Sequence, residues 1–323
     1  ATDIQGNVII SDLGQTEFLD LSHVEELKTD ISAWYTPGVD WGMRLQDLGV
    51  ITEGSGVAPI NMQFVFNLDS LQRGFQFSLD NLDLESLKKL IVRSSPENES
   101  IQNFIRKFDI RGKLKNLRIG KDFKGYYAHA GIYDFHNLPN KAVPGLERLD
   151  GHVEVVGTTA ALNLDDTDGA AVHFANIYDE PLSIETINGK IYFSWAPEYG
   201  GLKVTSDLLT AKVDAGQVNA MFSVRSTVPS AGVNPDVNVV LGGSNIDARY
   251  REKYLPTKIS PELKKWLKHA IVSTDLQKLG LAFRRGEPKK TPVAGTNQMY
   301  FEVQNTHIDY HPQWVDGEGL SGV

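Results

Sequence analysis

Along most of the chain, apolar residues recur at every second position over short runs bounded by Gly, Asn, Asp and Pro. That period predicts half-buried antiparallel strands. Ile60, Met62, Phe64, Phe66 and Leu68 alternate with Asn61, Gln63 and Asn67, leaving Val65 as the only apolar residue on the second side. After a turn at Arg73 and Gly74, Phe75, Phe77 and Leu79 continue the alternation. Ile191 and Phe193, Leu202 and Val204, then Val218, Ala220, Phe222 and Val224, and finally Val237, Val239 and Leu241 keep the same period.

Two places carry helical spacing instead. Leu84, Leu87, Leu90 and Ile91, then Ile101, Phe104 and Ile105, form a buried stripe at i, i+3, i+4, split by Ser94, Ser95, Pro96, Glu97 and Asn98. This predicts a helical hairpin over about 83–108. Further on, Ser260 at the N-cap, Pro261 at the first helical position and Glu262 behind it open a helix over about 260–272, with Leu263, Trp266, Leu267, Ala270 and Ile271 on one side. Trp266 and Leu267 are read as packing that helix onto the sheet rather than lining a groove.

A local unit recurs. Residues 109–114, 148–153 and 186–191 share the order polar, apolar, polar, Gly, polar, apolar, and their glycines (Gly112, Gly151, Gly189) lie 39 and then 38 residues apart. A weaker relative occurs at Leu279 and Gly280, and Gly322 with Val323 has the form of one more. Such spacing suits a sheet that grows by repetition, in which no unit buries its apolar side alone. Common turn dipeptides are the simpler alternative. Three segments follow from this reading: sheet and helical hairpin over 1–108, sheet over 109–247, and helix plus strands over 248–323, as one continuous elongated structure.

Composition narrows the functional classes. A hydrophobic fraction of 41% is too high for a disordered chain. The net charge of -9 argues against a nucleic-acid partner, which calls for a basic surface. No cysteine is present, so disulfides, thiolate metal sites and a cysteine nucleophile are excluded. No apolar run approaches the roughly 18 residues that a bilayer-crossing helix needs. The first residue is Ala1 and the last residues look like the opening of a strand, so a segment of a longer protein is expected.

Candidate chemistry is sparse. Asn163 to Gly169 alternates carboxylates before a glycine, but the glutamate that an EF-hand loop needs at its twelfth position is absent, and a solvated hairpin turn is the better reading. His307 and His311 stand four apart in a strand running into a turn, where helical ligand spacing does not apply. His129, His136, His152, His173 and His269 are isolated. Neither a zinc-binding His-Glu-x-x-His, a nucleophile elbow, a phosphate loop nor a dinucleotide fingerprint occurs. No enzyme, metal or cofactor is expected. What remains is an apolar stripe with few helices to cover it, which is either core or the wall of a ligand groove.

Four ordered stretches near the C-terminus carry a resemblance. They are Tyr254-Leu255-Pro256, the helix with Trp266-Leu267 and Ala270, the strand Gly280-Leu281-Ala282-Phe283-Arg284-Arg285-Gly286, and Tyr310-His311-Pro312-Gln313-Trp314. They resemble the AsmA-like proteins of the YhdP type, more loosely matched upstream at residues 143–151 and 180–189. The chain departs from that pattern after Gly286, where Glu287, Pro288, Lys289, Lys290, Thr291 and Pro292 replace a more aromatic loop.

The resemblance implies a mainly β fold with a few short helices, a long, curled antiparallel β-sheet with a hydrophobic groove that repeats along the protein. It implies a periplasmic segment of a parent anchored in the bacterial inner membrane, similar to bridge-like lipid transfer proteins that deliver phospholipid to the outer membrane and support its permeability barrier. Phospholipid acyl chains are then the expected ligand, and Phe64, Phe66, Phe75, Phe77, Phe193, Val204, Phe222, Val224, Val239 and Phe283 the candidate groove or core residues. The alternative is a non-enzymatic scaffold that binds other envelope proteins by strand addition at exposed sheet edges.

Overall fold

The structure, a computed structural model, describes residues 2–11, 24–52, 55–69, 73–94, 99–140, 143–164, 168–195, 201–227, 236–257, 259–286, 295–309, 315 and 317–323. Residues 95–98, 165–167 and 310–314, which the sequence reading uses, lie outside these. The fold is one large antiparallel sheet of 19 strands with three short α-helices. Contacts cluster into two compact units, one of residues 1–138 and 149–157, the other of 139–148 and 158–323.

The first unit is an up-and-down run of β1 (Thr2–Ser11), β2 (Val24–Thr36), β3 (Asp40–Thr52), β4 (Ser55–Asn67), β5 (Gly74–Asp83), β6 (Arg111–Asp122) and β7 (Gly125–Asn137), each paired antiparallel with the next. Between β5 and β6 the chain forms α1 (Leu84–Ser94) and α2 (Glu99–Phe108), where the stripe spacing predicts a hairpin. α1 touches β5 and β6, whereas α2 contacts α1. Phe104, expected in a buried stripe, is therefore 52% exposed and packs on Phe108 at a ring distance of 5.0 Å. The side chains of Leu90 and Ile101 lie outside the described residues. Asp109 ties the helices to the sheet: it accepts from Lys88 Nζ at 2.7 Å and from Arg111 Nε at 3.0 Å.

β8 (Gly145–Val156) contributes to both units. The second unit continues with β9 (Thr159–Leu164), β10 (Ala170–His173), β11 (Leu182–Ile184), β12 (Thr186–Ser194), β13 (Gly201–Ser206), β14 (Leu209–Val213), β15 (Gly216–Thr227) and β16 (Asp236–Asp247). A 3-10 helix (Ala248–Tyr254) and α3 (Pro261–Ala270) then lead into β17 (Ile271–Arg285), β18 (Gly295–Ile308) and β19 (Gly317–Gly322). Several short strands are halves of interrupted long ones: β15 pairs β14 with its first residues and β13 with its last. β12 likewise pairs β14 and then β13. Pro261 opens α3 as expected, but Ile271, which the spacing assigns to the helix, is the first residue of β17.

The strands are kinked by a recurring device. Asp47, Asn116, Asp134, Asn245 and Asn305 all have left-handed backbone (φ 48 to 53°), a conformation that Asx side chains tolerate better than most. The pairings beside Asp47, Asn116, Asp134 and Asn305 shift register, as at a β-bulge, which bends a strand and increases its twist. Neighbouring Asx side chains take up amides at this level. Asn61 Oδ1 accepts from the Asp47 amide at 3.0 Å, Asp80 Oδ1 from the Asn61 amide at 2.9 Å, and Asp150 Oδ1 from the Asp134 amide at 2.7 Å. Opposite the bulge at Asp47, Thr29 is 3% exposed and donates to the Gln46 carbonyl at 3.0 Å.

Two of the recurring glycines, Gly112 and Gly189, belong to the same device. Gly112 (φ 121°) lies against the Asp134 bulge, and Gly189 (φ 138°) against the break between β13 and β14. Buried apolar side chains lie nearby, among them Leu48, Leu79 and Ala130 in the first unit, and Leu164, Leu209 and Val213 in the second.

Candidate functional site

Directly paired residues of an antiparallel sheet project their side chains to the same side. The register of the first unit therefore lines up ladders across the sheet, most of them running through all of β1 to β7. One consists of Ile4, Ala33, Met43, Phe64, Phe77, Ile119 and Ala128. The next, at the hairpin-turn end, consists of Thr2, Tyr35, Trp41, Phe66, Phe75, Lys121 and Tyr126. A third, toward the bulges, joins Gly6, Ile31, Leu45, Met62, Leu79 and Leu117. The opposite side is polar, with Gln5, Ser32, Arg44, Gln63, Ser78, Arg118 and His129 in one ladder. Trp34 is an exception on that side; it lies over Gly42, where an added Cβ would sit 2.3 Å from its ring.

Phe64, Phe66, Phe75 and Phe77 thus form two direct cross-strand pairs on one apolar side. Their rings interlock with Trp41: Trp41 to Phe64 is 5.5 Å, Trp41 to Phe66 is 6.1 Å and Phe64 to Phe75 is 6.3 Å between centroids. Each such pair adds about 0.5–1.5 kcal/mol to the burial itself. Yet the surface is not a closed core. Leu79 is buried at 6%, but Ile4 is 69%, Trp41 41% and Tyr126 60% exposed. Among the described residues, the main helical contacts to this unit's sheet are those of α1 with β5 and β6.

The second unit repeats the arrangement with its own ladders. Ala160, Phe193, Val204, Val224, Val237 and Arg285 are successive partners, as are Phe222, Val239, Phe283 and Asn297. Ala220, Leu241, Leu281 and Met299 make a third. All six candidates of this half are brought to one side of its sheet, in two direct triplets. Phe283 stands at the exposed margin, as does Met299. Trp266 on α3 is also exposed, while the Leu267 side chain lies outside the described residues.

Sequence reasoning missed Ile4, Tyr35, Trp41, Met43, Ile119 and Tyr126, which extend the side to the full width of the first unit. A signal existed for β3, where Trp41, Met43 and Leu45 alternate with Gly42, Arg44 and Gln46. Chemistry of other kinds is thin. Among the described residues there is no group of three or more His, Asp or Glu placed to hold a metal. The titratable clusters are structural: hydrogen bonds from Lys88 and Arg111 hold the Asp109 carboxyl below its ordinary range. At Asp214, burial is outweighed by hydrogen bonds from Lys253, at 2.6 Å, and Tyr254, so its carboxyl is also held low.

A family model described as YhdP protein matches residues 3–321, nearly the whole chain and both apolar surfaces. The chain belongs to the YhdP family. No curated protein and no solved structure matches it. YhdP proteins are bacterial envelope proteins, and among the described residues of this YhdP chain no helix is long and apolar enough to cross a membrane. The wide apolar sheet side is accordingly the main feature that a YhdP function has to use.

Proposed function

We propose that this YhdP segment carries the acyl chains of phospholipids along its apolar sheet side, as part of a non-enzymatic periplasmic bridge between the inner and outer membranes. The observation that supports this most is the continuous, partly exposed apolar surface across β1 to β7. Exposing two acyl chains to water costs about 0.8 kcal/mol per methylene, or roughly 24 kcal/mol for some thirty methylenes. A barrier of that order allows spontaneous departure about once a day. An apolar wall that accompanies the chains at every step removes most of it, and the task needs no acid, base or nucleophile.

The test is native mass spectrometry of the purified protein with lipid extraction. Bound phospholipid is expected, with loss of at least most of it on changing Phe64→Asp, Phe193→Asp and Phe222→Asp together, while far-UV circular dichroism stays unchanged. Protein that carries no lipid and refuses added lipid would reject the proposal. It would favour a scaffold reading instead, for which the outer edge of β18 is the relevant observation: β19 pairs β18 only from Val303 onward, and Met299, Tyr300 and Phe301 are exposed.

A further inference from the structure

On the apolar side of the first unit, the ladder at the hairpin-turn end holds a single charged residue, Lys121. Its ammonium lies 5.1 Å from the centroid of the Tyr126 ring. Lys121 has no carboxylate in ion-pair range among the described residues. The ladder is otherwise rich in rings that are apolar on the body and polar at the tip: Tyr35, Trp41 and Tyr126 are all exposed. Such rings favour the boundary between hydrocarbon and water. Toward the bulges the same side is uncharged, through Met43 and Leu45 on β3 and Phe64 and Met62 on β4.

The second unit also has an apolar ladder with a single cation, though without the tyrosine and tryptophan rings of the first. Arg285, the last residue of β17, is the only charge in the ladder that runs through Phe193, Val204, Val224 and Val237. It too lacks a carboxylate partner among the described residues. Two ladders, each with a single charged residue, form a polarity gradient along the strands. From Phe66 to Ile60 an acyl chain would find about 20 Å of apolar strand, at roughly 3.3 Å per residue.

We infer that Lys121 and Arg285 bind the phosphate of a glycerophospholipid headgroup, one in each unit, with the acyl chains laid from there along the strands toward the bulges. This rests on the proposed lipid-carrying function and adds to it an orientation and two named headgroup contacts. A lysine or arginine with a phosphodiester makes a charge-assisted hydrogen bond. In the first unit the flanking Tyr35, Trp41 and Tyr126 rings accommodate the glycerol and ester region, and in both units the third ladder of apolar side chains takes the hydrocarbon.

The experiment incubates the whole protein with vesicles holding equal amounts of phosphatidylglycerol and diacylglycerol of identical acyl chains. Bound lipids are then weighed by native mass spectrometry. The ratio of phosphatidylglycerol to diacylglycerol is expected to fall about tenfold in a Lys121→Gln, Arg285→Gln double variant. Total bound diacyl lipid should hold steady, and in the unsubstituted protein the ratio should fall in 1 M salt, where charges are screened within about 3 Å. A double variant with an unchanged ratio overturns the headgroup assignment while leaving the lipid-carrying side intact. Unsubstituted protein that takes up neither lipid overturns both. Inorganic phosphate alone, at the same concentration, is expected to leave no adduct; an adduct lost in the double variant would assign the cations to the free anion and overturn the proposal.

Discussion

Replacing Gly112 by alanine tests whether the recurring glycines are built into the bulges or merely sit in turns. At φ 121° an L-residue is strained, at a cost of about 1–3 kcal/mol. The new Cβ would also lie 2.7 Å from the Asp134 carbonyl oxygen, 2.9 Å from Phe135 Cα and 2.9 Å from the Tyr133 carbonyl oxygen. These are backbone atoms of the bulged strand, which cannot rotate aside, so overpacking adds about 1–3 kcal/mol. A destabilisation of about 3 kcal/mol is expected. Gly189→Ala should cost less, about 2 kcal/mol, because its closest neighbour at 2.6 Å is the Cδ2 methyl of Leu209, a side chain able to yield. Gly49 provides the control: no atom lies within 4 Å of its added Cβ, and alanine there should change stability by less than about 0.5 kcal/mol. Urea unfolding followed by tryptophan fluorescence reads all three. With a slope of about 2–3 kcal/mol per molar, Gly112→Ala should lower the midpoint by about 1 M. If Gly112→Ala unfolds with the unsubstituted protein, or at no lower urea concentration than Gly49→Ala, the account of the bulges is wrong.

Two further outcomes follow from the geometry. In variants retaining a single tryptophan, acyl-brominated phospholipid should quench Trp41, on the apolar side, strongly and Trp34, on the polar side, little; equal quenching would show that lipid does not distinguish the two sides. Hydrogen bonds from Lys88 and Arg111 depress the Asp109 pKa, so this contribution to stability is complete above the ordinary aspartate value of about 4 and is lost as pH falls through the lowered one. Protection factors of amides in α1 and α2 should therefore fall below about pH 4, and Asp109→Asn should flatten that profile and lower protection at pH 7.

Much of the strand content was legible because β12 and β15, and long stretches of β4 (Ile60 to Phe66), β5 (Phe75 to Leu79) and β16 (Val237 to Leu241), alternate without interruption. The helices were legible from spacing and from Pro261. Other elements hid behind the bulges. In β6 the left-handed Asn116 breaks the run between Leu114 and Leu117, so the period of two fails although both leucines pair with apolar residues, Leu82 and Leu79. In β7 Tyr126 and Tyr127 are adjacent, one on each side, because Tyr127 packs against Gly120 and donates to Gln76 on the polar side. The individual candidates could be named from their alternation. That Phe193, Val204 and Val224 are consecutive partners could not, since register depends on the whole sheet and a slip by one residue reverses every side chain.

The bulges and the apolar side are two parts of one solution. A strand whose alternation ran unbroken for its full length would present a flat apolar surface, which favours stacking against another sheet. An Asx residue in left-handed backbone on β3, β6 and β7 of the first unit bends each of these strands, and at Asp47 and Asp134 a neighbour's amide or carboxylate oxygen accepts from the amide that the bulge frees. Burial then concentrates beside the bend, at Leu48, Leu79 and Ala130, and stabilises the sheet there. The ladders from Ile4 to Ala128 and from Thr2 to Tyr126 are consequently not required to close as a core. A fold stabilised along a line of bulges can leave the rest of its apolar side open, and under the proposed function that opening is the space in which acyl chains travel.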